Sequence, residues 1–408
     1  MSVRRAQDER IEGTPDGLSA ITEISDVPDA PTIGAATDAG TGTSVTVAYT
    51  AATTGGTATT FTATSTPGTI TGTGTSPITV TGLTAGTAYT FKVKGTNSTA
   101  TGPESAASNS VTPATPLATV GYIGGGYNNT YMTNIEKITF SNDSVSSNGY
   151  SLATGAYYRG AHGSIGVAGY WVGGSTSSGY TSAVNKMLVS SGITSTLSAT
   201  LAFATGEPAG CANDGVAGYT GNGQKSGAYL NSIEKLNYSN DAISTLTATL
   251  YDIQTQRSAL ANTGTAGYFD GGNAANYLNK LGFSAETTSV VSSSFFYNKN
   301  SGWAAPMTNG TTAGYFGRSR TANTGTTPQT IAKILFSTDS GSTLSASLTD
   351  GINGSTGVSK AGAAGYICGG ESPRSTTIDK LTFSTEAKTS LGSALPNGGR
   401  NAPAGVSL

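Results

Sequence analysis

The chain of 408 residues holds one histidine, His162, and two cysteines, Cys211 and Cys368. One imidazole gives little acid–base capacity near pH 7, and it cannot furnish a copper site built on several histidines. The cysteines stand far apart and read as two buried free thiols rather than a metal or redox pair. No Gly-x-Ser-x-Gly elbow, His-Glu-x-x-His or Cys-x-x-Cys occurs. Acids recur in short polar runs: Ser141-Asn142-Asp143, Ser239-Asn240-Asp241, Ser337-Thr338-Asp339 and Ser384-Thr385-Glu386. Each run offers one carboxylate, where calcium wants about six to eight oxygens, so these are expected to be Asx-type hairpin turns. The chain is expected to be a binding or structural part and not an enzyme, with no cofactor and no metal.

Other recurring residues suit binding. Lys137, Lys186, Lys235, Lys280, Lys333 and Lys380 each stand among apolar neighbours. The expectation is stems packed between repeats with ammonium groups on turn carbonyls, in preference to a ring of charge for an anion. Tyr131, Tyr180 and Tyr229 each precede one of these lysines by six residues, and Tyr157, Tyr158, Tyr251, Phe296, Tyr297 and Trp303 fall in loops of uneven composition. These nine are the candidate ligand-binding residues, because exposed aromatics stack on sugars or anchor protein interfaces. Arg4, Arg5 and Arg10 lie in a leader, residues 1–30, that holds ten of the 44 charged residues. They are the candidate docking residues of an arm that orders on a partner.

Which elements would position these groups follows from composition and repetition. Charged residues are 11%, glycines number 57 and net charge is −2. Few charges with many Gly, Thr and Ser suit short strands and tight turns. There is no basic stripe for nucleic acid and no apolar run long enough for a membrane helix. The first residues lack the apolar stretch of a signal peptide. A Gly-Tyr pair recurs at Gly121, Gly169, Gly218, Gly267, Gly314 and Gly365, at spacings of 48, 49, 49, 47 and 51 residues. Self-similarity at such a period marks a repeat architecture, here with four short strands per repeat. The last repeat is about four residues short, and residues 117–120 supply four. The run Ala402 to Leu408 is therefore expected to form the innermost strand of the repeat that begins near Val120, closing the ring.

Residues 31–113 alternate in period two, as in Ser44-Val45-Thr46-Val47-Ala48-Tyr49, Ile78-Thr79-Val80 and Tyr89-Thr90-Phe91-Lys92-Val93. This segment resembles a fibronectin type III domain: Leu83 and Tyr89 stand where that family's tyrosine corner would be, and Ser110-Val111-Thr112-Pro113 matches its last strand and exit. No Trp occupies the early strands. Residues 114–117, flanked and entered by proline, read as a stiff linker. From 118 to 408 the pattern Gly-Tyr-Trp-Val-Gly-Gly, then Asn-Lys-Met-Leu-Val, then Leu-Ser-Ala-Thr-Leu is similar to a kelch repeat, although one repeat has Gly317-Arg318 for the double glycine and the late Trp is missing. The expected fold is all-β, a β-sandwich followed by a six-bladed kelch-like β-propeller. In such a ring the first-to-second and third-to-fourth turns share one face and are uniform. The varied loops share the other, where binding is expected.

The layout resembles a tailed-bacteriophage virion protein. That resemblance implies assembly in the host cytoplasm and display on the virion, with other virion proteins docked through the arm and a host-surface glycan or protein met by the propeller. A tail- or baseplate-attached fibre is the first expectation. A head or neck decoration protein and a bacterial surface or adaptor protein are the alternatives, and a homo-oligomer is compatible with all three. Neither nucleic acid nor membrane insertion is expected.

Overall fold

The computed structural model describes residues 27–39, 42–114, 118–221, 223–251, 258–270, 277–292, 304–318, 329–349, 354–370, 374–392 and 394–408. These form strands and turns and no helix. The chain divides into two compact units between residues 115 and 116. Arg4, Arg5 and Arg10, and likewise Phe296, Tyr297 and Trp303, lie outside the described residues.

The first unit holds β1 (Thr32–Asp38), β2 (Ser44–Thr50), β3 (Thr60–Thr66), β4 (Thr71–Thr73), β5 (Ile78–Thr81) and β6 (Thr90–Thr96). They make two sheets, β1-β2-β5 and β4-β3-β6. Alternation puts Val45, Val47, Ile78, Val80, Phe91 and Val93 on the shared inner faces, each burial stabilising by about 1.5–3 kcal/mol. The Tyr89 hydroxyl oxygen accepts the Thr84 N–H at 3.1 Å and ties the corner before β6. The last strand differs from the expectation. Val111 makes only a single bridge, to Tyr89. Upstream of it, serine hydroxyls do part of the pairing: Ser105 Oγ accepts the Val93 N–H and Ser108 Oγ the Phe91 N–H, both at 3.0 Å.

The second unit repeats a four-stranded antiparallel sheet six times. The second sheet shows the pattern, with strands Gly160–Ser164, Ala168–Val172, Val184–Leu188 and Thr194–Thr196 in order. In the first sheet the leading strand comes from the far end of the chain: Ala404–Ser407 pairs with Val120–Gly124. The other leading strands are Ala209–Asn213, Ala259–Asn262, Ala305–Thr308 and Thr356–Lys360. Each leading strand touches that of the next sheet, Thr356–Lys360 touches Ala404–Ser407, and Ala404–Ser407 touches Gly160–Ser164, so the contacts return to their start. Spacing here is tight: a Cβ on Gly357 would collide with the Pro306 carbonyl oxygen, backbone that cannot step aside. The Ala-Gly-Tyr segments form second strands, and Ala168–Val172, Ala217–Gly221, Ala266–Asp270 and Ala364–Cys368 are buried at every residue. Being covered on both faces, they read as continuous apolar and small runs.

Register explains the tyrosines and lysines together. In every sheet the tyrosine of the second strand lies directly opposite the lysine of the third, as in Tyr170↔Lys186 and Tyr366↔Lys380. Opposed residues share a face, and both side chains reach one acid in the next sheet. Lys186 and Tyr170 hold Asp241 at 2.6 and 2.8 Å; Lys235 and Tyr219 hold Glu286 at 2.6 and 2.9 Å; Lys280 and Tyr268 hold Asp339 at 2.7 and 2.6 Å. Lys333 and Tyr315 hold Glu386 likewise, and Lys380 and Tyr366 hold Asp143 of the first sheet at 2.6 and 2.5 Å. The lysines therefore end on turn carboxylates, not on turn carbonyls. Each acid occupies the left-handed position of its third-to-fourth turn, with φ between 51° and 57°. Burial pushes the Asp143 carboxyl up, but Lys380 and Tyr366 more than reverse this and hold it below the ordinary range.

The junction between the first and second sheets breaks this rule. Gly192 (φ 68°) takes the left-handed position, and the Tyr150 ring lies where its side chain would be. Lys137 alone of the six lysines has no carboxylate partner among the described residues. Hydrogen bonds to charged groups contribute about 1.5–3 kcal/mol, somewhat less here because the paired side chains keep 18–32% of their exposure. In urea melts Asp339→Ala is expected to lose about 1–3 kcal/mol and Lys137→Met less than about 0.5 kcal/mol. Equal losses would contradict the latch.

Candidate binding site

His162 and both cysteines are buried. His162 is 3% exposed, in the leading strand of the second sheet, with Nδ1 at 3.1 Å from the Tyr238 hydroxyl and Nε2 unpartnered. Burial drives its pKa down to about 3, so it stays neutral near pH 7. Cys211 and Cys368 are buried and free, and burial raises both thiols.

His162 and Asp214 give the second unit opposed pH responses. Unfolding exposes His162, whose ordinary pKa is 6.5, so the stability it contributes is complete above that value and is lost as pH falls toward 3. Burial raises Asp214 to about 6, although it accepts the Ile165 N–H at 2.7 Å; its folded form holds a proton that the unfolded form releases, so stability rises as pH falls from 6 toward 4. Each effect is on the order of 3 kcal/mol by pH 4. Denaturant melts from pH 6.5 to 4.5 are expected to show His162→Gln gaining stability on acidification and Asp214→Asn losing it. Parallel slopes for the two variants would contradict this assignment.

At the other end of the sheets, the second-to-third connections of the first three sheets begin as small hairpins. Ser175–Thr176 pairs with Gly179–Tyr180 and Gln224–Lys225 with Ala228–Tyr229, while Tyr127 bridges Tyr131. Tyr131, Tyr180 and Tyr229 thus close equivalent hairpins in three consecutive sheets. Each hairpin leans on the crossover that enters its own sheet, through the bridges Tyr127↔Asn401, Tyr157↔Ser175 and Gly206↔Gln224.

This packing gathers four rings from two chain segments, the hairpin at 127–131 and the crossover at 157–158. Tyr127 lies 5.4 Å from Tyr131 and 5.6 Å from Tyr157 between centroids; Tyr131 and Tyr157 are 5.8 Å apart, and Tyr157 and Tyr158 4.3 Å. All four are half-buried. The backbone sets the last two: Tyr157 exchanges both hydrogen bonds with Ser175, and Tyr158, at φ 53°, donates its N–H to Ala402 O. The Arg374 guanidinium covers Tyr127 at 5.3 Å and donates to Asn129 Oδ1 at 2.8 Å. Sequence reasoning missed Tyr127 and Arg374. Tyr127 follows the first double glycine directly, where the other hairpins carry Ser175 and Gln224, and an aromatic at that varied position was the available signal.

Beside the rings is a cleft of about 420 Å³, lined by Tyr131, Thr154, Gly155, Thr176, Ser178 and Tyr180 among others. The Tyr180 hydroxyl donates to Gln224 Oε1 at 2.8 Å, which fixes that wall. Below the floor, buried Arg159 donates to Thr154 O at 3.0 Å and to Asn185 Oδ1 at 2.9 Å. Burial lowers its pKa to about 10, so it remains charged at neutral pH. Tyr229 and Tyr251 stand apart from the cluster: Tyr229 is 50% exposed, and Tyr251, 71% exposed, meets Tyr277 edge-on at 5.3 Å.

A fibronectin type III domain model matches residues 29–111, and that segment is a fibronectin type III domain. Among solved structures, one titled "Structure of YjhT" is similar at 14% identity, over 62% of this chain and 88% of that one, with a TM-score of 0.49. A search of curated proteins finds no match.

Proposed function

We propose that the second unit is a six-bladed kelch-like β-propeller and that the chain is a non-enzymatic binding part, with the fibronectin type III domain as spacer. The cyclic contacts of the six leading strands support the propeller, as do the latches at five of the six junctions between sheets. One observation carries the binding role: four tyrosines from two segments are gathered at the end where loops vary, while the opposite end spends its repeated acids on holding sheets together. Rigid, half-exposed aromatics supply contact area with little ordering cost. The charged leader, the spacer and the Thr-, Ser- and Gly-rich propeller support a place on the virion of a tailed phage, as a tail- or baseplate-attached appendage facing the host surface. Binding of the labelled full chain to host cells tests this. Tyr127→Ala with Tyr157→Ala is expected to weaken binding by about thirtyfold or more, the loss typical of a central aromatic anchor. Undiminished binding would overturn it.

A further inference from the structure

We infer that the cleft beside the tyrosine cluster takes a neutral carbohydrate, an uncharged chain of sugar rings. This rests on the reading that the hairpin end of the second unit is the binding face. Its volume, about 420 Å³, lies within the ordinary range for small-molecule sites. Two tyrosines, Tyr131 and Tyr180, line it, and hydroxyls and backbone fill the space between them: Thr154, Gly155, Thr176 and Ser178. Ring faces meet the C–H faces of a sugar, and hydroxyls and carbonyls exchange hydrogen bonds with its alcohols. No Leu, Ile, Val, Met or Phe lines the cleft, so an apolar peptide anchor would find no pocket.

The walls of the cleft favour an uncharged ligand. No ionised side chain lines the cleft. Arg159 lies beneath the floor with Nη1 and Nη2 engaged by Thr154, Trp171 and Asn185 and Nε unpartnered. Opposing it, Glu207 is near enough that burial and then its charge raise the Tyr180 phenol, and it adds to the rise at Tyr157. With no ionised group on its walls, the cleft offers no charged partner to a carboxylate or sulfate. The site is also preorganised: Tyr180 is held by Gln224, and Thr176 Oγ1 donates to Gly179 O at 2.8 Å, so little ordering accompanies binding. The cleft spans the hairpins of the first and second sheets, the pair whose opposite end lacks the acid latch.

A printed array of neutral hexose oligosaccharides beside sialylated and uronate-bearing ones, probed with the full chain, tests this. Signal is expected on neutral members alone. In solution titrations of a positive oligosaccharide, Tyr180→Ala and Ser177→Trp are each expected to weaken binding at least about tenfold. Ser177 lines the cleft and is exposed, so Ser177→Trp should fill the cleft with unchanged melting, which separates lost binding from lost folding. Signal on acidic members alone, a blank array, or neutral binding that survives Ser177→Trp would overturn the inference. A blank array with cell binding still dependent on Tyr127 and Tyr157 removes the carbohydrate and leaves the binding face; loss of both removes both.

Discussion

Removing residues 400–408 is expected to abolish the single cooperative unfolding transition of the second unit. Ala404–Ser407 is the leading strand of the first sheet, and its loss exposes more than one edge. Leu408 N–H donates to Val120 O at 2.8 Å, and Leu408 O accepts the Thr119 and Val120 N–H groups at 2.9 and 3.0 Å. Trp171, fully buried, donates its indole N–H to Ala404 O at 3.0 Å. Ala404, Val406 and Leu408 also pack with Tyr122, Ile135, Leu152, Trp171 and Met187. The truncation therefore opens the core between the first two sheets and breaks the cycle of leading strands at once. Calorimetry with Trp fluorescence is expected to show a broad, early transition. An unchanged melt would contradict closure by the C-terminal strand.

Arg400→Met is the single substitution with the largest expected effect. Arg400 and Glu136 are both fully buried, with Nη2 at 2.8 Å from Oε1. Arg400 Nη1 also donates to Gly125 O at 3.1 Å, and Glu136 Oε1 accepts the Asn397 N–H at 2.7 Å. Burial raises the Glu136 carboxyl, and Arg400 holds that rise in check. Removing the cation leaves an uncompensated buried acid, which costs about 3–5 kcal/mol. The double change Glu136→Met with Arg400→Met removes both charges and is expected to recover most of that loss, since apolar replacement of a buried pair is often near neutral. Urea melts of the two variants check this, and a double variant no better than the single would contradict the pairing.

Much of the fold was legible because the repeat is strict where burial is strict. The Gly-Tyr pairs mark second strands covered on both faces, and the lysines mark third strands because register sets them opposite those tyrosines. The Ser-Asn-Asp turns were legible as turns: Ser144 N–H donates to Asn142 Oδ1 at 3.1 Å and Ala242 N–H to Asn240 Oδ1 at 3.0 Å. Their acids were not legible as partners of Lys and Tyr, because each latch joins residues 51 or more positions apart. A repeat seen one copy at a time does not show which neighbour it grips. The site was legible in part. Tyr131 and Tyr157 come together as the varied loops suggested, but Tyr127 has no aromatic counterpart in the other hairpins, and Tyr251 lies elsewhere.

The most direct measurement compares the two ends of the second unit in one binding assay. The full chain is titrated on host cells beside two variants of similar melting temperature. One carries Tyr127→Ala with Tyr157→Ala at the hairpin end. The other carries Val167→Glu with Val216→Glu in first-to-second turns at the opposite end, where both valines are exposed, at 56% and 49%. Binding is expected to fall about thirtyfold or more in the tyrosine variant and to remain unchanged in the valine variant. Binding lost with the valines and kept without the tyrosines would contradict the proposed face.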